Sequence, residues 1–317
     1  MVLPIVTPAP VVASHAEAFR DLFDNQCEFR HFQNYLTGLM VLENTSMANI
    51  SNCILTSADK TNLSRFFSEA PWHEQETNDR RIRYMLDQTA PHRRPAKESS
   101  LILDDTLCEH VGSLFEYVDR HYDHCDHSYP LAHNLVSSFY LSGAVRFPVD
   151  ARLYRRYEEI TQWPAFVQKH FPDRALPKEK KPRQRLHKEV DPTLLKDPEF
   201  ELLHEQFKTK ISLAQEMIQG AIEHDIPFKT VLMDSWYLSE DLVKTLADRG
   251  KDWVSLLKKN RKVESHSFTL RDAQGHAIPF SKPHVKVEDL VPLIPKCSYK
   301  KVTISEQHYW CFTLTVR

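Results

Sequence analysis

Carboxylates at the ends of apolar runs are the groups in this chain best placed to do chemistry. Asp104 and Asp105 close the run that begins Leu101-Ile-Leu, and Asp234 closes the run from Phe228 to Met233. Both runs read as strands, and in a mostly open sheet strand ends converge on one shared site. Carboxylates gathered there repel one another unless a divalent cation lies between them. Their hard oxygens suit Mg²⁺ or Mn²⁺, ions that keep positions open for phosphate oxygens and water. Two such ions can clamp the attacking and leaving oxygens of an in-line phosphoryl displacement. The plainer use of the same residues is as helix N-caps or turn residues, which is common for aspartate after a strand.

Other constellations are weaker. His121, His124, Cys125 and His127 alternate with Asp123 and Asp126, but they share no accepted zinc-finger spacing and no second Cys/His pair follows. That segment reads as a polar turn. Lys178, Lys180, Lys181, Arg183, Arg185 and Lys188 form a basic cluster, and Lys258 and Lys259 a smaller one with Arg261 and Lys262. Such groups neutralise nucleic-acid phosphates without reading sequence, and charge runs are also often no more than a solvated surface. Arg65, Arg80, Arg81, Arg83, Arg93 and Arg94 are further candidates for DNA contact, while Trp236 and Tyr237 could stack on a base or pack on the following helix.

Composition narrows the class. The 317 residues hold only six glycines, and the two nearest, Gly250 and Gly275, are 275 − 250 = 25 positions apart. No Gly-rich phosphate cradle is available, which excludes Walker-type NTPases, dinucleotide-binding Rossmann enzymes and protein kinases. A net charge of −2 leaves polyanion binding to local patches. Six cysteines without a C-x-x-C pair read as reduced thiols of a cytoplasmic protein. The longest uncharged run, Ser128 to Val145, is too polar to span a membrane.

The elements that must position these residues follow from periodicity. Residues 16–84 read as helical, with Ser51 and Thr61 as helix starts, and residues 1–95 as a helical N-terminal DNA-binding domain. The Pro-bearing stretch 88–100 reads as a linker. A core over 96–262 follows, with strands at Leu101–Asp104, Leu114–Val118 and Leu135–Leu141. It continues with a basic exposed loop over 170–200 and a helix over Leu202–Glu223. A strand ending at Asp234, a helix over Ser239–Asp248 and a strand over Trp253–Leu257 complete it. Residues 263–317 read as β-rich, with strands at Phe268–Leu270, Val302–Ile304 and Trp310–Val316.

Leu101-Ile-Leu-Asp-Asp-Thr106 and Val231-Leu-Met-Asp-Ser-Trp-Tyr237 resemble the first and second catalytic blocks of DDE transposases from bacterial insertion sequences. In that family the first aspartate sits in Asp-x-Ser/Thr, matched by Asp104-Asp-Thr106, and the second in Asp-x-x-Tyr/Phe, matched by Asp234-Ser-Trp-Tyr237. The segments Asn62–Trp72, Tyr122–Cys125 and His133–Val136 are similar to regions flanking those blocks. The resemblance implies an α/β, ribonuclease H-like mixed sheet with a helical N-terminal domain and a β-rich insertion. It implies metal-dependent cleavage and strand transfer of double-stranded DNA (element ends and target). Asp104 and Asp234 would hold Mg²⁺ or Mn²⁺, Asp105 being the reserve for the first position, with Thr106 and Ser235 supporting the ligands. A homodimer is compatible with it, and a membrane is not involved.

The chain departs from the family in one respect. The third carboxylate belongs to Tyr-x2-Arg-x3-Glu-x6-Lys on a late helix, and no such pattern occurs in these residues; Glu264, Glu288 and Glu306 lack its flanks. The expectation is a chain that stops before that helix, with impaired activity alone. The rivals are a non-catalytic DNA-binding inhibitor of an intact transposase and an unrelated nuclease using Glu240 or Asp241.

Overall fold

The computed structural model describes residues 4–55, 60–112, 115–123, 125–304 and 307–314. The expectations placed on Leu114, His124, Glu306 and Val316 lie outside the described residues. The chain divides into two compact units, Met1–Val231 and Leu232–Arg317.

Unit 1 opens with helices α1 (Pro10–Ala16), α2 (Gln26–Val41), α3 (Met47–Cys53), α4 (Lys60–Glu69) and α5 (Glu74–Thr89). Asn25 caps α2 by accepting from the backbone N–H groups of Cys27 and Glu28. Ser46, not Ser51, starts α3: its hydroxyl accepts from Asn49 N, whereas Ser51 lies buried inside the helix. Phe19, Phe23, Phe29, Ile50, Leu63 and Phe66 build the core of this layer. Gly38 of α2 is required there, because a Cβ at that position would lie 2.5 Å from Cγ2 of the fully buried Ile50. Gly38→Ala is therefore expected to destabilise the protein by about 1–3 kcal/mol through overpacking, despite alanine's higher helix propensity. A chemical-denaturation midpoint checks this.

The sheet follows as β1 (Ser100–Glu109), β2 (Asp119–Arg120), β3 (Leu131–Ser142) and β4 (Val145–Tyr154). β1, β3 and β4 form an antiparallel meander with β3 in the middle. β1 is longer than its apolar run implies, so Asp104 and Asp105 lie within the strand, not at its end. The strand expected at Leu114–Val118 is not formed over its described residues 115–118; only Asp119 and Arg120 pair, with Ala132 and Leu131. Pro148 of β4, which has no N–H to give, coincides with a register shift at Ser138/Phe139. Arg81 and Asn78 of α5 serve that outer strand, donating to the carbonyls of Pro148 and Val149. The helices α1–α5 and these strands belong to the one unit Met1–Val231.

Helices α6 (Tyr157–Ile160), α7 (Trp163–His170), α8 (Lys180–Leu194), α9 (Pro198–Gln206) and α10 (Lys210–Glu223) come next. The basic segment expected to be an exposed loop over 170–200 is largely helical. Pro182 sits in the first turn of α8 and Pro198 opens α9, positions where a missing N–H costs little. Leu186, Val190 and Leu194 then bury one face of α8 against Trp163, Phe166, Val167 and Phe200. The helix expected over Leu202–Glu223 is broken at Thr209, whose side chain caps α10 by accepting from Ser212 N. Leu213, Ala214, Met217, Ile218 and Ala221 form the buried face of α10, which packs on β3 and β4. Strand β5 (Thr230–Met233) enters beside the start of β1, with Lys229 N donating to Ser99 O at 3.0 Å.

In unit 2, Ser239 caps α11 (Glu240–Asp248), and β6 (Asp252–Ser255) follows. β7 (Lys262–Glu264) pairs with β8 (His284–Lys286) ahead of the short α12 (Val287–Leu290), and β9 (Lys300–Ile304) pairs with β10 (Gln307–Cys311). Phe268 and Leu270 are not a strand. They are the centre of a small core with Leu290, against which Phe280, Phe312 and Leu314 pack. An antiparallel three-strand meander, helices, a strand, a helix and a strand give the mixed α/β, ribonuclease H-like succession that the resemblance implies.

Candidate active site

Alternation along β1 sends its two aspartates to opposite faces. Leu101 and Leu103 are buried on the face that carries Asp105; Ile102, Asp104 and Thr106 share the other. Asp104 is exposed and lies opposite Ser137 in the register. One of its oxygens, Oδ1, accepts from Asp105 N at 2.9 Å. No cation pairs with Asp104 among the described residues.

Asp105 is differently placed. Its Oδ2 meets Nζ of Lys210, the first residue of α10, at 2.5 Å, and the lysine side chain is only 12% exposed. The Lys210 ammonium also lies 5.3 Å from the centroid of the Tyr154 ring. Asp105 therefore already neutralises a protein cation, which leaves Asp104 the better of the two for an external one. Asp105→Asn would strand a mostly buried ammonium, and about 1–3 kcal/mol of stability is expected to be lost. Thermal melting of that variant beside Asp104→Asn, which should melt like the unaltered protein, separates the two roles. Lys210 has no signal in the sequence: it lies 105 positions from its partner, and only the strand-to-helix packing joins them.

In unit 2, Asp234 directly follows β5 and is exposed. Its Oδ1 accepts from Trp236 N (2.6 Å) and Tyr237 N (3.3 Å), an Asx-type turn. The Ser255 hydroxyl donates to its main-chain oxygen at 3.0 Å. The turn use and a ligand use are thus compatible, because Oδ2 takes no protein partner among the described residues. Tyr237 is fully buried and packs edge-on to Trp236, whose ring stays half exposed. Glu240 is occupied by Lys244 one helical turn on, and that hydrogen bond holds its carboxyl below the usual glutamate range.

Asp104 in unit 1 and Asp234 in unit 2 each keep one carboxylate oxygen without a protein partner among the described residues, a hard donor of the kind that suits Mg²⁺ or Mn²⁺. Among the described residues, no cluster of three or more His, Cys, Asp or Glu is arranged to hold a metal by itself. Residues Cys125–His127 form a turn, and Asp123 accepts from the N–H groups of Cys125 and Asp126. His121 is buried, and that burial, with Arg156 nearby, lowers its proton affinity.

The predicted DNA-contact residues separate into two groups. Lys178, Lys180, Lys181, Arg185, Lys188, Lys258 and Lys259 are exposed. Arg183 is not available in the same way: it grips Glu158 through two nitrogens and donates to Pro177 O at 2.9 Å. In the N-terminal helices Arg80 is bound to both oxygens of Asp21, each at 2.7 Å, and Arg81 to β4, so neither points to an outside ligand. No helix among the described residues is long and apolar enough to cross a membrane, and all six cysteines are free.

No curated protein matches the sequence. The family described as DDE superfamily endonuclease matches residues 18–285, a span that contains β1 with Asp104 and the β5 turn with Asp234. With most of its length covered in this way, the chain belongs to the DDE superfamily endonucleases.

Proposed function

We propose that this chain is a transposase of the insertion-sequence type, which binds the ends of its element and uses Asp104 and Asp234 to hold Mg²⁺ or Mn²⁺ for cleavage and joining of DNA strands. The observation that carries the reading is the family match across both aspartates, together with an uncommitted oxygen on each. When bound, the ion supplies Lewis-acid activation of water or of a 3′-hydroxyl and neutralises charge at the reacting phosphate. The protein's own part is positional. The strand fixes Asp104, the Asx turn fixes Asp234, and Ser255 ties the main chain of that turn to the end of β6.

The family's third acid is matched by no Tyr-x2-Arg-x3-Glu-x6-Lys pattern in these residues. Two ligands hold an ion less firmly than three, so nicking is expected to be slow and strand transfer negligible for this chain alone. The test is an end-labelled duplex carrying the inverted repeats that border the gene, incubated with Mg²⁺, Mn²⁺ or a chelator. Metal-dependent nicks that leave a 3′-hydroxyl at the repeat boundary are expected. Tight binding with no nick under either ion would favour the non-catalytic, inhibitory reading instead.

A further inference from the structure

Helix α8 sorts its charges. At 3.6 residues per turn, Lys181, Gln184, Arg185 and Lys188 fall on one stripe, opposite the buried Leu186, Val190 and Leu194. The acids of the helix are already engaged. Glu189 pairs with Arg174, and Asp191 accepts from the Trp163 indole at 2.6 Å while facing His187 Nδ1 at 3.0 Å. Arg183 turns inward to Glu158. Burial opposes ionisation of that glutamate, but hydrogen bonds from Arg183 and His187 outweigh it and hold the carboxyl below its usual range.

The outward bases are left over. Lys181, Arg185 and Lys188 are exposed, and no acidic group pairs with them among the described residues. With Gln184, Tyr157, His187 and Asp191 they line an open cleft along the helix, in which Asp191 is held by the Trp163 indole and His187 and the Tyr157 hydroxyl meets His204 Nδ1 at 3.1 Å. Burial, reinforced by Asp191, pushes the Tyr157 phenol up to about 12, so it keeps its proton at neutral pH. The seven helical steps from Lys181 to Lys188 cover about 10 Å, close to three phosphate steps of one DNA strand along the duplex axis. A surface of three unneutralised bases and one neutral donor, with its one carboxylate already engaged, is suited to a polyanion backbone, not to an apolar partner.

We infer that α8 is a rail for the sugar-phosphate backbone of one strand of duplex DNA, on which Lys181, Arg185 and Lys188 each neutralise a phosphate. Arg183, despite lying in the same basic run, is a positioning residue that clamps the helix to Glu158 and touches no DNA. The inference rests on the proposed DNA-processing function. It is tested on binding alone, in chelator, so that its failure is distinct from a failure of the aspartate assignment.

The experiment measures affinity of the full chain for a fluorescent DNA duplex over a series of salt concentrations. Each of Lys181→Gln, Arg185→Gln and Lys188→Gln should flatten the slope of log affinity against log salt by about 0.9, and the triple variant by about 2.7. Arg183→Gln should keep the unaltered slope while lowering the melting temperature. The single variants carry the same test if the triple variant does not fold. An unaltered slope in the single and triple variants would overturn the rail, and so would a flattened slope in Arg183→Gln without loss of stability. Tighter binding of a same-length RNA duplex would overturn the assignment to DNA.

Discussion

Asp104→Asn and Asp234→Asn are each expected to lower DNA nicking by on the order of 10³-fold, equivalent to about 4 kcal/mol of transition-state stabilisation. Neither change should unfold the protein or weaken binding to DNA in chelator. Both side chains are exposed, and asparagine can still accept the backbone N–H bonds that Asp104 and Asp234 accept now. The effect should therefore fall on ion affinity first. Mn²⁺ titrated into each variant should bind at least about tenfold more weakly, since a neutral amide replaces one of the two proposed anionic ligands. Asp105→Asn is the contrasting control. Its cost belongs to the Lys210 pair, so stability should fall and ion affinity should stay. A reversal of that pattern would make Asp105 the ligand and Asp104 the spectator.

The second large effect is structural. Trp163 is fully buried at the start of α7, and three features of α8 converge on it. Its indole N–H donates to Asp191 at 2.6 Å, its ring stacks on His187 at 3.9 Å between centroids, and the Arg183 guanidinium lies 5.2 Å from its centroid. Trp163→Ala is expected to cost about 3–5 kcal/mol from the cavity and the lost contacts. Trp163→Phe keeps much of the packing and removes only the donor to Asp191, so about 1–2 kcal/mol is expected. Urea unfolding with a common m-value would read both. A near-zero cost for the alanine variant would mean that the α7–α9 cluster is not cooperative with the rest of unit 1.

The sequence made some of this legible and hid the rest for physical reasons. The strand before Asp234 and the helix after it were readable because an apolar run, an aspartate and a Ser cap occur in the order that strand, turn and helix require. The sorting of Asp104 from Asp105 was not readable. It depends on which face of β1 meets α10, and so on a contact with Lys210 that no local pattern encodes. The basic segment over 170–200 reads as a loop because prolines and lysines look like loop composition. Pro182, however, sits where a helix needs no donor, and Leu186, Val190 and Leu194 supply an apolar face at helical spacing. Arg183 stands among the outward bases in the sequence, and only Glu158, 25 positions away, turns it inward. At the other end, Phe268 and Leu270 looked like a strand but fill a small core, since burial alone does not distinguish the two.

The aspartate assignment can be read without relying on the rate of cleavage. Fe²⁺ bound in place of Mg²⁺, supplied with ascorbate and peroxide, generates radicals that cut the polypeptide beside the ion. Cuts are expected near Asp104 and near Asp234, both suppressed by excess Mg²⁺ and both lost together in Asp104→Asn and in Asp234→Asn. Cuts at one aspartate that persist when the other is replaced, or cuts confined to other segments, would contradict the proposed sharing of one ion by Asp104 and Asp234.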